Sequence, residues 1–302
     1  MPLKERLAPV QPLFTKKGLP MAIPKRLLGK TGAQVTALGL GGVCWNLLEE
    51  DRAAVEVVHR AIDRGITYLD TASSYKESER RLGLALKERD RSQLFIATKC
   101  LKRAGDELKQ EIEDSFARLQ LEVIDLIQVH AIDQERTLNQ VLAPDGALRV
   151  IEEYRQAGKI RFVGLTGHTH PEMFAKMIQE YDFDTVLNPL GPVNRVWNDF
   201  AAATVPPARA RNMGIIAMKV MAAGKVPAED RSLYLRYALS PPADVAIVGM
   251  DSVEQVEENV RVAENFVPLS QLEEKQVLER ALELVPRAKK ELWWLPEQRL
   301  AS

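Results

Sequence analysis

Apolar runs too short for helices alternate with longer amphipathic stretches along most of the chain. Ala37–Gly41, Tyr68–Asp70, Phe95–Lys99, Leu126–His130, Phe162–Leu165, Thr185–Leu187, Ile215–Lys219 and Ala246–Val248 read as eight buried strands. The gaps between them carry helical periodicity. Arg52–Arg64 sets Val55, Val58 and Ile62 on one face, and Glu107–Leu119 does the same with Leu108, Ile112, Phe116 and Leu119. Strands that alternate with helices pair in parallel, and eight repeats predict closure into an α/β fold, the (β/α)8 TIM barrel. A doubly wound sheet is the competing arrangement. It leans on a G-x-G-x-x-G loop after the first strand, and Gly39-Leu40-Gly41-Gly42-Val43-Cys44 puts cysteine where the last glycine belongs.

The flanks add an N-terminal β-hairpin and a C-terminal helical extension. Residues 25–36, KRLLGKTGAQVT, are two half-apolar runs around Gly29-Lys30-Thr31-Gly32, a hairpin signal. A capped helix is expected from about Ser270, followed by a tail bearing Trp293-Trp294. That tail either covers one end of the barrel or packs on the outer helices. The expected organisation is a leader over residues 1–24, a barrel over 25–265, and a helix and tail over 266–302 that packs on the barrel.

Composition narrows the partners. The 302 residues carry 41 Lys and Arg against 42 Asp and Glu, a net charge of −1, so nothing in the overall field favours a nucleic acid as partner. No run approaches the roughly 18 apolar residues of a membrane span, and the first twenty residues lack the apolar core of a secretory signal. A cytoplasmic protein is expected. Cys44 and Cys100 read as free thiols.

Chemistry is expected at the C-terminal ends of the strands, where the βα loops of such a barrel converge. Asp70 ends the second strand, Lys99 the third and His130 the fourth, and Tyr75 follows Asp70 by five residues. A lone buried charge is costly, so Asp70 and Lys99 are natural partners. An ammonium beside a phenol favours the phenolate and makes Tyr75 the better acid. His130 is suited to hydrogen-bond the reacting oxygen. The set can protonate an alkoxide as it forms, and because no side chain supplies hydride, a nicotinamide is implied.

The sequence resembles the aldo-keto reductase family over roughly residues 25–265. RLLGKTGAQVTALGLGG is similar to the family's opening hairpin and first strand. YLDTASSYKESERRLGLAL carries the D-T-A motif with a tyrosine four residues after the threonine and a glutamate beyond. IATK supplies the lysine, DLIQVH the histidine, GKIRFVGLTG the segment before the nicotinamide site, and GMDSVEQVEENV the adenosine-end segment. The resemblance implies Tyr75 as general acid, Lys99 as the group lowering its pKa, Asp70 as the partner of Lys99, and His130 as director of a small carbonyl or alcohol substrate. It implies an NADP or NAD cofactor held by Gly42, Thr166, Gly167, Lys219, Met221, Gly224, Gln255, Glu258 and Asn259. No metal is expected.

Departures from the family pattern cluster around the nicotinamide. Thr166 stands for a serine, Gly167 for an asparagine, Leu187 for a glutamine and Leu190 for a stacking aromatic residue. His168 and Asn188 are the candidates for the missing hydrogen bonds. Lys76 replaces a glycine beside Tyr75, and with Trp45 it is a candidate substrate contact; Trp197 is another aromatic candidate. Asp251, near the adenosine, would repel a 2′-phosphate and accept from a ribose diol, which favours NAD. A branch of the family bears a cysteine-rich tail for an iron–sulfur cluster, but this chain has no cysteine after Cys100. Two rival readings are a zinc hydrolase built on His168-Thr169-His170 and a cofactor-binding regulatory barrel with little turnover.

Overall fold

The computed structural model describes residues 22–87 and 89–297, so most of the expected leader and the end of the tail lie outside the described residues. The hairpin pairs β1 (Lys25–Leu27) with β2 (Gln34–Thr36) in antiparallel register, Lys25 opposite Thr36. Eight parallel strands then close a barrel: β3 (Leu38–Gly41), β4 (Tyr68–Asp70), β5 (Phe95–Cys100), β6 (Ile124–Val129), β7 (Ile160–Thr166), β8 (Thr185–Pro189), β9 (Gly214–Met218) and β10 (Val245–Gly249). Pairing of β10 with β3, Gly249 opposite Gly41, completes the ring.

The connecting helices are α1 (Asp51–Asp63), α2 (Ser78–Leu86), α3 (Gly105–Leu119), α4 (Glu135–Leu142), α5 (Ala147–Gln156), α6 (Pro171–Glu180), α7 (Pro192–Trp197), α8 (Phe200–Ala210), α9 (Arg231–Leu239) and α10 (Val253–Glu264). A final helix, α11 (Gln271–Ala288), starts at a capping box in which Ser270 and Glu273 satisfy each other's backbone N–H groups. Among the described residues no helix is long and apolar enough to cross a membrane.

The barrel closes at its N-terminal end and stays open at the other. Leu28 and Val35 of the hairpin pack with the inward side chains Tyr68, Phe95, Leu126, Leu187, Ile216 and Val245. The hairpin turn docks so tightly that a Cβ on Gly29, at φ +49°, would lie 2.2 Å from the Gly214 nitrogen. This plug directs any chemistry to the opposite mouth.

Three buried carboxylates repeat around the closed end. Asp125 accepts from the Ile96 N–H at 2.9 Å, Asp184 from Val163 at 2.9 Å and Asp244 from Ile215 at 2.8 Å, each bridging to the preceding strand. Arginines cap them from outside: Arg91 and Arg161 on Asp125, Arg155 on Asp184, Arg209 on Asp244. Asp125→Ala leaves the Ile96 N–H dry, so urea unfolding is expected to show a loss of about 2 kcal/mol. A variant as stable as the parent contradicts this role.

The two tryptophans of the tail lie in different surroundings. Trp294 is fully buried, packs with α7, α9 and α11, and donates from its indole N–H to Asn194 Oδ1 at 3.1 Å. Trp293 instead reaches the open mouth, 61% exposed and edge-on to His168 at 5.1 Å.

Candidate active site

Side chains of a strand alternate between faces, so the last inward residue of each strand reaches the open end. On β4 the inward series is Tyr68 and Asp70; on β5 it is Phe95, Ala97 and Lys99; on β6 it runs Leu126, Gln128 and on to His130. Lys99 Nζ donates to Asp70 Oδ1, and to the Thr71 carbonyl at 2.7 Å. Gln128 Nε2 donates to Asp70 Oδ2 at 3.1 Å. Both charges of the pair are about as dry as the barrel core, each 2% exposed.

Tyr75 is set above this pair by a loop of successive turns. Its N–H donates to Ala72 O at 3.0 Å and its carbonyl accepts from Ser78 N at 2.9 Å. The Ser78 hydroxyl bonds both Thr71 Oγ1, at 2.7 Å, and Gly42 O, at 2.9 Å. Lys99 Nζ lies 4.9 Å from the centre of the Tyr75 ring, and the His130 ring meets that ring edge-on at 6.1 Å. The structure therefore brings Asp70, Tyr75, Lys99 and His130 into one cluster, with Gln128 as a fifth member the motif reading passed over.

The electrostatics refine the expected acid. Burial raises the Tyr75 phenol above its ordinary value; Lys99 pulls it down and Asp70 adds to the rise, leaving the net shift upward. Burial also raises Asp70, against Lys99 and Gln128. For Lys99, burial favours loss of the proton, but Asp70 and Tyr75 outweigh it and the pKa is raised. Burial and the cations Lys99, Arg103 and Lys219 push His130 down to about 2, so it is a neutral imidazole. Without Lys99, Tyr75 would hold its proton more tightly still.

Around this centre several polar atoms lack partners. Among the described residues, Thr166 Oγ1, His130 Nδ1 and His168 Nδ1 are buried with no hydrogen bond. Lys219 stands in a left-handed conformation at φ +62°, with its ammonium 4.5 Å and 5.0 Å from the Trp294 and Trp293 rings. Burial and Lys99 lower its pKa to about 8, and among the described residues no carboxylate pairs with it. Beyond it Ala222, Ala223 and Gly224 continue the left-handed turn, with Met221 half-buried below. On α10, Gln255 Oε1 accepts from the Asp251 N–H at 3.1 Å, Asn259 is half-buried and Glu258 exposed.

Other expected contacts fall elsewhere. Trp45 is fully buried, its indole N–H on Met250 O at 3.0 Å, and offers no face to a substrate. Gly42 is buried, and a Cβ there would lie 2.6 Å from Ser78 Oγ and 2.7 Å from the Trp45 ring, so packing alone requires a glycine at this position. Gly167 is likewise hemmed in: a Cβ there would lie 2.8 Å from the Phe174 ring. Trp197 bonds the tail at Pro296 O, and Leu190 packs into the outer core. Asn188 faces outward, donating to Thr204 Oγ1 of α8 at 3.0 Å, which leaves His168 as the member of that pair at the mouth. Lys76 is exposed on the rim at φ +45°. His168 and His170 do not converge on a metal: His170 turns out to Glu172 at 3.0 Å, and no group of three ligand-type residues occurs among the described residues.

Fold and centre together define a (β/α)8-barrel oxidoreductase with a buried lysine–carboxylate pair beneath a tyrosine. The chain belongs to the aldo/keto reductase family, whose sequence pattern it matches over residues 37–233. It is 29% identical over 284 residues to the L-galactose dehydrogenase of Arabidopsis thaliana, covering 79% of this chain and 87% of that one. It is 33% identical over 178 residues to the 6-dehydroglucose reductase of Novosphingobium aromaticivorans, covering 52% and 56%. A Pseudomonas aeruginosa protein whose crystal structure is described as an aldo-keto reductase superposes with a TM-score of 0.67 at 27% identity, covering 81% of this chain and 97% of that one.

Proposed function

We propose that this protein is an NAD(P)-dependent reductase that interconverts a sugar-type aldehyde or ketone and its alcohol, with Tyr75 as proton donor. The observation that carries the reading is the Tyr75 phenol above the dry Asp70–Lys99 pair, with the neutral His130 imidazole beside it. The names of the two sugar-acting relatives support the substrate class.

The residues present fit a dinucleotide. The Thr166 hydroxyl, without a partner among the described residues, suits a carboxamide, the buried Lys219 ammonium and the turn through Met221 and Gly224 suit a pyrophosphate, and Gln255, Glu258 and Asn259 suit the adenosine end. A reduced nicotinamide, when bound, supplies hydride to the carbonyl carbon. Tyr75 passes its phenolic proton to the carbonyl oxygen as charge develops there, and Lys99 stabilises the phenolate left behind. Asp70 and Gln128 hold Lys99 under the ring. His130, being neutral, donates a hydrogen bond to the same oxygen and orients it.

Two predictions follow the electrostatics. A general acid must be protonated, so reduction at saturating cofactor declines only as pH rises through the elevated Tyr75 pKa. With His130 held at about 2, the kcat profile has no inflection near ~6.5, the ordinary imidazole value. An inflection there would contradict the neutral-imidazole role. Asp251 makes NAD the favoured cofactor, and Asp251→Ser is expected to raise the NADPH-to-NADH ratio of kcat/KM by about fivefold, roughly 1 kcal/mol. A ratio that stays put contradicts that preference.

A further inference from the structure

We infer that Glu111 is a positioning residue for the reaction: its carboxylate, on α3, ties the Tyr75 loop to the end of the strand that carries Lys99, and so sets the phenol over the ammonium. This deepens the reductase reading and rests on it. The ladder between β5 and β6 ends at Cys100 opposite Val129, and the N–H groups that follow on β5 need other acceptors. Glu111 supplies them. Its Oε2 accepts from the Leu101 N–H at 3.0 Å and from the Lys102 N–H at 2.8 Å. Its Oε1 accepts from the Ser73 hydroxyl at 2.6 Å, the length of a charge-assisted bond.

Ser73 stands two residues before Tyr75, in a strip that carries β4 onward along β5. The Thr71 N–H donates to Ala97 O at 2.9 Å and the Ser73 N–H to Lys99 O at 3.1 Å, while Thr71 O accepts from the Lys99 ammonium at 2.7 Å. The chain then turns up to the phenol, with the Tyr75 N–H on Ala72 O. Ser73 is therefore the last hold on the loop before Tyr75 leaves the strand. Glu111 doubles that hold with a side-chain bond.

The helix makes a firm post for it. Leu108 and Ile112, which flank Glu111 on α3, are both buried in the core around the barrel. The neighbouring cations bond elsewhere: the Lys102 ammonium goes to Glu107 at 2.9 Å, and Arg103 donates to the carbonyls of His130 and Ala131. The oxygens of Glu111 thus serve backbone and hydroxyl, fixing geometry. Through Arg103, the short stretch 101–103 that Glu111 anchors also grips the end of the strand that presents His130.

The test measures kcat, with the best substrate of a panel of aldehydes and keto-sugars, and coenzyme binding in Glu111→Ala, Ser73→Ala and the double variant. Each single change is expected to lower kcat by about tenfold and to leave coenzyme Kd within about twofold, because a misplaced proton donor loses rate before binding. The double variant should fall no further than the slower single one, since both cut one tie. Glu111→Gln keeps a carbonyl for one N–H and an amide for the Ser73 hydroxyl, and should bring kcat back to within about threefold of wild type. An unchanged kcat in Ser73→Ala overturns the proposal, and so do losses that multiply in the double variant. Ser73→Ala removes only one hydroxyl and decides the matter if Glu111→Ala does not fold. If the wild-type protein reduces nothing in the panel, the reductase reading fails by itself. The tie is then judged by NMR of isotope-labelled tyrosine Cζ, with the Tyr75 resonance identified by its loss in Tyr75→Phe. A shift in Ser73→Ala that is absent in Glu107→Ala, a surface change on the same helix, upholds the tie. A resonance that stays put in Ser73→Ala, or moves as far in Glu107→Ala, overturns it.

Discussion

Tyr75→Phe is expected to lower kcat for carbonyl reduction by roughly 10³-fold while leaving dinucleotide binding within about twofold, because positioned proton transfer contributes 10²–10⁴. The phenyl ring keeps the volume and the contact over Lys99, 4.9 Å from its centre, so only the proton donor goes. Stopped-flow measurement of coenzyme oxidation, paired with a fluorescence titration of coenzyme binding, separates the two quantities. Turnover within tenfold of the parent would show that another group protonates the oxygen.

Lys99→Met has the largest expected effect on stability. Methionine fills much of the lysine's space, but it leaves Asp70 at 2% exposure with Gln128 as its remaining side-chain partner. Removing one member of a buried pair costs about 3–5 kcal/mol. Burial already raises Asp70, and without Lys99 its folded pKa rises further above its unfolded value. The folded variant then takes up a proton, so its stability is greatest at low pH and falls as pH rises through the folded pKa. Urea unfolding at several pH values reads this slope directly. Asp70→Asn combined with Lys99→Met removes the stranded charge and should recover most of the stability without recovering activity. Recovery of both would mean that Lys99 serves the fold alone.

The barrel was legible because each strand is a short apolar run bounded by helical periodicity, and those cues are local. The centre was legible because Asp70, Lys99 and His130 close consecutive strands, where a charged or polar residue ends an apolar run. The same parity marks Gln128 within DLIQVH, two residues before His130 and on the same face. What escaped the sequence depends on distant packing. Trp45 is buried with its indole hydrogen-bonded to Met250, 205 residues away, and Trp293 meets His168 only because the tail packs on α7, α9 and α11. Gly42 matches a motif, yet its bareness answers to Ser78 and Trp45. The sign of the Tyr75 shift was equally out of reach, since it sets burial against Lys99 and depends on how deep the pair lies.

The central claim is that the Asp70–Tyr75–Lys99–His130 centre reduces a carbonyl at a bound coenzyme's expense. It is tested most directly by mixing the protein with NADH or NADPH and a panel of hydroxyaldehydes and keto-sugars, following coenzyme and product together. The account predicts that coenzyme is consumed one-for-one with alcohol formed, and that Tyr75→Phe slows both by roughly 10³-fold. Tight coenzyme binding with no oxidation across the panel would contradict it and leave a cofactor-binding barrel without this chemistry.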